Sequence, residues 1–157
     1  MTPMTSTATF SRHAVAVWTG DISGGEGNVA AGTEAFAVPM TFPRLSGDPP
    51  GMTTPEELLA ASQANCYAIA LRSVLAQRRG SAQRITIRAT ITAEKGGGLI
   101  RLTGSHLDGT IEGLEGVDSA TLQDAARVAE ERCTISSLIR AVAPVTSSVV
   151  AVSSATR

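Results

Sequence analysis

Two cysteines are the residues of this chain best suited to nucleophilic or redox chemistry. Cys66 and Cys133 are far apart and are the only cysteines in the sequence. Their spacing matches neither the disulfide framework of a small secreted protein nor a Cys-x-x-Cys unit. Two thiols and no others suggest a reactive pair, because a thiolate attacks peroxides and disulfides. The alternative is that Cys66 is a small buried hydrophobe, as free cysteines commonly are.

The surroundings of these cysteines in the sequence favour different interpretations. Cys133 stands at the start of a predicted helix and precedes Thr134 and Ser136, where backbone N–H groups and the helix dipole favour a thiolate or accommodate its oxidised form. Glu56 lies ten residues before Cys66 on one predicted helix, too far for direct contact. Its simplest role is a first-turn carboxylate favoured by the dipole. Arg44 precedes that helix in a proline-rich loop, and its default interpretation is a solvated charge.

Two other patterns of reactive side chains predict no site. Ser105, His106 and Asp108 fall on a predicted strand, where neighbours point to opposite faces, so they form no relay among themselves. We expect His106 to be a surface or dimer-contact residue. A metal site would need both cysteines and both histidines, four distant positions without paired-ligand spacing. We therefore predict no metal.

The helix that carries Cys66 has the clearest start signal in the chain. Thr54 is a good N-cap, Pro55 suits the first helical position, and Glu57 completes a capping box. We expect the helix to run to Arg79 and to stop at Gly80. Several side chains share one of its faces at three- and four-residue spacing: Leu59, Ser62, Cys66, Ile69 or Ala70, and Ser73.

The remaining elements follow from alternation, glycine and proline. Residues 13–18 predict a strand, residues 28–42 two short strands, and residues 43–51 a proline-rich loop. Residues 84–93 and 99–111 predict an antiparallel pair joined by a turn at 94–98. Asp118 or Ser119 caps a helix whose inward residues are Leu122, Ala125, Ala126 and Ala129. A short helix at 136–142 and a strand at 145–152 complete a βββ-α-ββ-α-α-β order, which indicates an α+β fold.

Composition and charge exclude several classes of function. At 157 residues with 43% hydrophobic residues, the chain has the size and core of one globular domain. A net charge of -1 and 3% aromatic residues leave no basic field or stacking platform for nucleic acid. No apolar stretch approaches the roughly 20 residues of a membrane span, and no secretory signal is visible. We expect a cytoplasmic protein whose cysteines start as thiols.

Three motifs together resemble the OsmC/Ohr family, the osmotically inducible and organic hydroperoxide resistance proteins. They are Trp18-Thr19-Gly20-Asp21 with Gly25-x-Gly27, the stretch Thr54-Pro55-Glu56-Glu57-Leu58-Leu59-Ala60-Ala61 leading to Cys66, and Cys133-Thr134-Ile135-Ser136. The opening motif is closer to the OsmC branch. The resemblance implies an α+β, OsmC-like fold with antiparallel sheets packed on a central cysteine-bearing helix. It also implies an intertwined homodimer. We expect one domain over residues 1–157, with residues 1–12 as a flexible N-terminal extension.

The same resemblance implies a thiol peroxidase that reduces organic hydroperoxides. By motif position Cys66 matches the peroxidatic cysteine, Cys133 the resolving cysteine and Glu56 the carboxylate of a Pro-Glu pair, while Arg44 is the nearest candidate for the activating arginine. No bound cofactor is implied. The disulfide would be reduced by an external thiol or dithiol, a lipoyl-type dithiol being one candidate. Thr134 and Gln63 depart from the family pattern, since proline and histidine are common at those positions.

A second class of function stays open on the sequence. The chain would keep the same fold as a small-molecule-binding or interaction protein and use its cysteines only for packing. The two classes differ in one observable, because only the enzyme consumes an organic hydroperoxide in the presence of a dithiol.

Overall fold

The structure is a computed structural model that describes residues 7–153. Strands and helices follow the predicted βββ-α-ββ-α-α-β order, which confirms the α+β class. The elements are β1 (Ala14–Thr19), β2 (Glu26–Ala31), β3 (Ala37–Met40), α1 (Pro55–Gln77), β4 (Arg84–Gly96), β5 (Leu99–Glu112), α2 (Ser119–Arg132), α3 (Thr134–Arg140) and β6 (Val145–Val152).

The chain divides into two compact units, with the boundary between Pro55 and Glu56. That residues 1–157 form one domain stays a prediction. Of the predicted extension 1–12, residues 1–6 lie outside the described residues, and residues 7–12 are exposed without regular secondary structure.

The first unit holds a three-stranded antiparallel sheet in the order β1-β2-β3. Its Trp18-Thr19-Gly20-Asp21 motif forms the hairpin turn. Asp21 accepts hydrogen bonds from the backbone N–H groups of Gly24 (2.6 Å) and Ser23 (3.1 Å), and these contacts with the Ser23 hydroxyl lower the pKa of its carboxyl. Trp18 lies against Gly27, where an added Cβ would be 2.6 Å from the indole ring. The motif therefore has a structural role in the turn.

The second unit holds a three-stranded sheet in the order β4-β5-β6. Strands β4 and β5 are antiparallel, and the turn between them is shorter than predicted because Gly97 and Gly98 both adopt positive φ. Strand β6 is parallel to β5, so the prediction of purely antiparallel sheets is wrong for this pair. The reason is topological: α2 and α3 provide the long connection that a parallel pair needs.

The helix boundaries differ from prediction by a few residues, whereas the inward face of α2 is confirmed. Helix α1 ends at Gln77 because Arg79 adopts a left-handed φ of 62°, while Arg78 pairs with Asp124 at 2.5 Å. Helix α3 begins at Thr134 and not at residue 136. Asp118 caps α2 through the N–H of Thr121 at 2.8 Å. All four predicted inward residues of α2 are buried.

Helix α1 buries a different face from the one that contains Cys66 and Ile69. Ile69 is 65% exposed, and Ser62 and Ser73 are exposed. The alanine-rich sequence carries no strong apolar period, so spacing alone could not select the face. The buried residues of the helix are Gln63, Tyr67, Leu71, Val74 and Leu75.

The core of the second unit lies between α1, α2 and the β4-β5-β6 sheet. Its buried members include Leu71 of α1, Leu107 and Ile111 of β5, and Leu122 of α2. Cys133 belongs to this core, and Cys66 packs against it while partly exposed. Within residues 7–153, no helix has the length and apolar character to cross a membrane.

We predict that Leu107→Ala destabilises the protein by about 3 kcal/mol, because it removes a fully buried side chain and leaves a cavity in the core. The measurement is urea unfolding followed by circular dichroism. Leu99→Ala on the same strand is the matched control, since Leu99 is 58% exposed. Equal effects of the two substitutions would contradict this assignment of the core.

Candidate functional site

The two cysteines of the second unit lie close together. Cys66 is near the middle of α1, and Cys133 is the residue between α2 and α3. Cys66 packs against the buried core to which Cys133 belongs, and its side chain raises the pKa of Cys133. Both are free thiols, Cys66 partly exposed and Cys133 buried. The fold thus brings together two thiols that are distant in sequence, one of them accessible to a reactant and the other held behind it.

Burial dominates the electrostatics of Cys133. It raises the pKa of the thiol, hydrogen bonds from the side chain and backbone of Ser136 lower it, and the contact with Cys66 raises it again. The Ser136 N–H donates to the sulfur at 3.4 Å. The prediction that the start of α3 would favour a thiolate is therefore wrong in its net direction. Desolvation of the charged sulfur outweighs the donors that the helix start provides.

Buried polar side chains, linked by hydrogen bonds, lead to Cys133. They were not among the residues predicted from the sequence. The Ser105 hydroxyl donates to Gln63 Oε1 at 2.5 Å, and Gln63 Nε2 donates to Ser136 Oγ at 3.1 Å. The exposed fractions of Gln63 and Ser136 are both 0%. We call these three residues the Ser105–Gln63–Ser136 chain. It connects β5, α1 and α3.

The sequence contains a signal for the Ser105–Gln63–Ser136 chain, because polar residues occupy apolar faces. Gln63 lies four residues before Tyr67 and eight before Leu71, so it shares their helical face. Ser105 alternates with Leu107 and Ile111 along β5 in the same way. A polar residue on an apolar face is expected to be buried and hydrogen-bonded.

Tyr67 extends the polar surroundings of the thiols. Its hydroxyl donates to the backbone carbonyl of Ala126 at 3.2 Å, so it ties α1 to α2. Burial and the nearby carboxylate of Glu130 raise the pKa of Tyr67 to about 12. The phenol is therefore neutral at physiological pH, and it supplies no negative charge beside Cys133.

Glu56 lies in the first turn of α1, as predicted. Its Oε2 atom is buried and has no hydrogen-bond partner among residues 7–153. A buried carboxylate oxygen without a donor is energetically costly. The chemistry of this oxygen suits a hydrogen-bond donor or a cation as its partner.

Arg44 lies in the first unit, in the predicted proline-rich loop. Its guanidinium stacks on Phe42 with 5.2 Å from Cζ to the ring centroid, and its backbone N–H donates to Asp48 Oδ1 at 2.9 Å. It also lines a cleft of about 640 Å³ whose apolar members include Trp18, Met40 and Met52. Its roles toward Cys66 and Glu56 stay predictions.

The residues around His106 form a surface cluster. Ser105 points inward, whereas 43% of the His106 side chain is exposed, which confirms a surface position for His106. His106 and Asp108 share the outer face, and His106 Nε2 lies 3.2 Å from Asp108 Oδ1. Residues two apart on a strand point the same way, whereas Ser105 points inward and donates to Gln63, so the three residues form no relay among themselves, as predicted.

Together these features define a small α+β protein with two facing free thiols, one accessible and one buried. The sequence model of the family described as OsmC-like protein matches residues 47–148. The chain belongs to the OsmC-like family.

Relatives with known names support that assignment. Peroxiredoxin OsmC of Escherichia coli is 28% identical over 137 residues, which cover 85% of this chain and 92% of that protein. An organic hydroperoxide resistance protein-like protein of Mycoplasma pneumoniae is 27% identical over 124 residues, covering 78% of this chain and 85% of the relative.

Solved structures show the same fold. An organic hydroperoxide resistance protein OsmC from Legionella pneumophila superposes with a TM-score of 0.71 at 24% identity, covering 92% of this chain and 100% of that one. An OsmC-like protein of unknown function from Vibrio cholerae superposes with a TM-score of 0.73 at 16% identity, covering 90% and 100%.

We predict that a thiol-alkylating reagent modifies Cys66 well before Cys133 in the native protein at neutral pH. Cys66 is partly exposed, whereas Cys133 is buried and its pKa is raised, and the thiolate is the reacting species. Modification of Cys133 should rise as the pH increases toward that raised pKa. Peptide mass spectrometry after timed alkylation measures both sites, and denatured protein is the control. Preferential modification of Cys133 would contradict the assigned burial.

Proposed function

We propose that this protein is a thiol peroxidase that reduces organic hydroperoxides to alcohols, with Cys66 as the nucleophile and Cys133 as the resolving cysteine. The observation that carries the proposal is the packing of a partly exposed thiol, Cys66, against the core that holds a buried thiol, Cys133, in a member of the OsmC-like family. Relatives named for peroxiredoxin activity and organic hydroperoxide resistance support it.

In the first step, the Cys66 thiolate attacks one oxygen of the hydroperoxide. A sulfur–oxygen bond forms and the O–O bond breaks, so Cys66 becomes a sulfenic acid and the leaving alkoxide takes a proton to become the alcohol. A cation near the sulfur favours the thiolate and stabilises the leaving oxygen. We assign that role to Arg44, oriented by a bidentate pair with Glu56. The buried, unpartnered Oε2 of Glu56 supports a guanidinium partner.

In the second step, Cys133 attacks the sulfenic sulfur of Cys66. The S–S bond forms, the S–O bond breaks, and the departing hydroxide takes the thiol proton to become water. Cys66 packs against the core that contains Cys133, which supports the approach of the two sulfur atoms that a disulfide requires. An external dithiol, with a lipoyl-type dithiol as one candidate, then supplies two electrons and two protons and restores both thiols.

The packing of Cys66 against an apolar core favours an apolar substrate. The core cluster against which it packs in the second unit includes Leu71, Leu107 and Ile111. Burying an alkyl chain against such residues contributes about 0.8 kcal/mol per methylene, a gain that hydrogen peroxide cannot obtain. We therefore propose an alkyl or lipid hydroperoxide as the substrate.

We also propose that the protein acts as a homodimer in the cytoplasm. A second copy would cover apolar side chains that the described chain leaves exposed, such as Ile69 (65%), Leu138 (62%) and Val142 (70%). A reducing compartment is consistent with a cycle that must return both cysteines to thiols.

We predict that Cys66→Ser lowers consumption of cumene hydroperoxide in the presence of a dithiol by more than about a thousandfold, because an unactivated hydroxyl cannot replace the thiolate. Loss of the hydroperoxide is measured directly. Asn65→Ser is the matched control, since it places a serine at the neighbouring exposed position of α1. Turnover retained in Cys66→Ser would refute the peroxidase mechanism, and no turnover in the wild type would favour a binding protein.

We predict that one equivalent of hydroperoxide converts the wild-type protein to an intrachain Cys66–Cys133 disulfide. Mass spectrometry would show the loss of two hydrogen atoms with no added oxygen. In Cys133→Ser the first turnover should survive, and excess peroxide should then convert Cys66 to sulfinic and sulfonic acids. A wild-type protein that overoxidises to the same extent and never forms the bridge would leave Cys133 a packing residue.

A further inference from the structure

The Ser105–Gln63–Ser136 chain has a direction that is set by its donors and acceptors. Ser105 donates its hydroxyl hydrogen to Gln63 Oε1, and the Gln63 amide donates from Nε2 to Ser136 Oγ. A serine hydroxyl has one hydrogen to donate. Because Ser136 Oγ accepts from Gln63, its own hydrogen remains for another acceptor.

The contacts of Ser136 favour the sulfur of Cys133 as that acceptor. The Ser136 backbone N–H donates to this sulfur at 3.4 Å, and the Ser136 side chain lowers the pKa of the same thiol. The donors of Ser105 and Gln63 point toward Ser136, and Ser136 contacts Cys133. Such an arrangement stabilises negative charge on the sulfur, because donors to an ionised acceptor form stronger hydrogen bonds than donors to a neutral one.

The position of Gln63 is held from both sides. Ser105 lies within the sheet, where its backbone N–H donates to the Pro144 carbonyl at 2.9 Å. Its hydroxyl then fixes which end of the Gln63 amide carries the oxygen. The exposed fraction of Gln63 is 0%. If its two hydrogen bonds were broken, water could therefore not replace them. The amide thus holds the Ser136 oxygen in place.

We propose that Gln63 is a positioning residue which, through Ser136 and with Ser105 behind it, stabilises the thiolate of Cys133 during disulfide formation with Cys66. This inference rests on the proposed peroxidase function and adds a group that acts on its second step. Gln63 itself touches Ser136 and not the reacting sulfur atoms.

The chemical need for such a group comes from the burial of Cys133. The thiolate is the attacking form in disulfide formation, and burial raises the pKa of this thiol. In attacking Cys66, Cys133 loses its proton, which leaves with the hydroxide as water. Donors that favour the charged sulfur lower the free energy of that step. The same donors favour Cys133 as the leaving thiolate when a dithiol reduces the disulfide.

Among residues 7–153, titratable groups of α1 and α2 lie near Cys133. From α1, Cys66 and Tyr67 interact with it. The pKa of Tyr67 is raised to about 12, so the phenol stays neutral while a thiol titrates. On α2, Glu130 interacts with Tyr67 and pairs with Arg140 of α3 at 2.5 Å. With Cys66 replaced, a thiol titration near neutral to alkaline pH reports on Cys133.

The test is an ultraviolet titration of the Cys133 thiolate in Cys66→Ser protein. Adding Ser136→Ala should lower the thiolate fraction at a fixed pH about tenfold, because the side-chain donor is lost. Adding Gln63→Met, which keeps the length of the side chain, should lower it about threefold, because Ser136 keeps its hydroxyl but loses its orientation. Ser137→Ala, at an exposed position of α3, is the control and should leave the titration unchanged.

In protein with both cysteines, the same two substitutions should slow disulfide formation relative to peroxide attack, measured by trapping the sulfenic acid. Circular dichroism verifies the fold, and if Gln63→Met fails to fold, Ser136→Ala decides. An unchanged titration in a folded Ser136→Ala variant overturns the inference. The titration requires no peroxide, so its result is valid whether or not the wild-type protein consumes hydroperoxide. A wild-type protein that consumes no hydroperoxide would refute the proposed function and leave the titration result unaffected.

Discussion

The close approach of α1 to the junction between α2 and α3 is the constraint on which the second unit depends. Small side chains on α2, Ala125, Ala126 and Ala129, are fully or almost fully buried, and they allow α1 to come near enough for Tyr67 to donate to the carbonyl of Ala126. The same approach places Cys66 against Cys133. A bulkier residue on α2 would separate the two helices, and the two thiols with them.

Burial divides the roles of the two cysteines. The partly exposed Cys66 can meet a substrate, whereas Cys133 is enclosed by the core. Enclosure makes ionisation of Cys133 unfavourable, and the hydrogen bonds of Ser136 oppose that cost. In the proposed cycle, burial keeps Cys133 from the oxidant, and the hydrogen bonds of Ser136 leave it able to react with Cys66. A polar residue such as Gln63 is tolerated inside the core because both ends of its amide are satisfied.

The order of the elements could be predicted because each has a local cause. Pro55 starts α1, Asp118 caps α2, and Pro144 separates α3 from β6. The end of α1 was misplaced by two residues, since a left-handed Arg79 cannot be inferred from residue type. The parallel pairing of β5 and β6 was also missed. Strand direction depends on how the helical connection packs, which local patterns do not contain.

For the site, the sequence by itself determined which residues have reactive chemistry: Cys66 and Cys133 by type, and Glu56 by its place in a first helical turn. Tertiary packing decides that Cys66 lies against the core containing Cys133, that Cys133 is the buried one, and that Gln63 connects Ser105 to Ser136. The physical reason is that reactivity is a property of a side chain, whereas pairing, burial and hydrogen-bond direction depend on distances between elements far apart in the chain. Those distances are set by the packing of α1 on α2 and the sheet, and not by any local sequence signal.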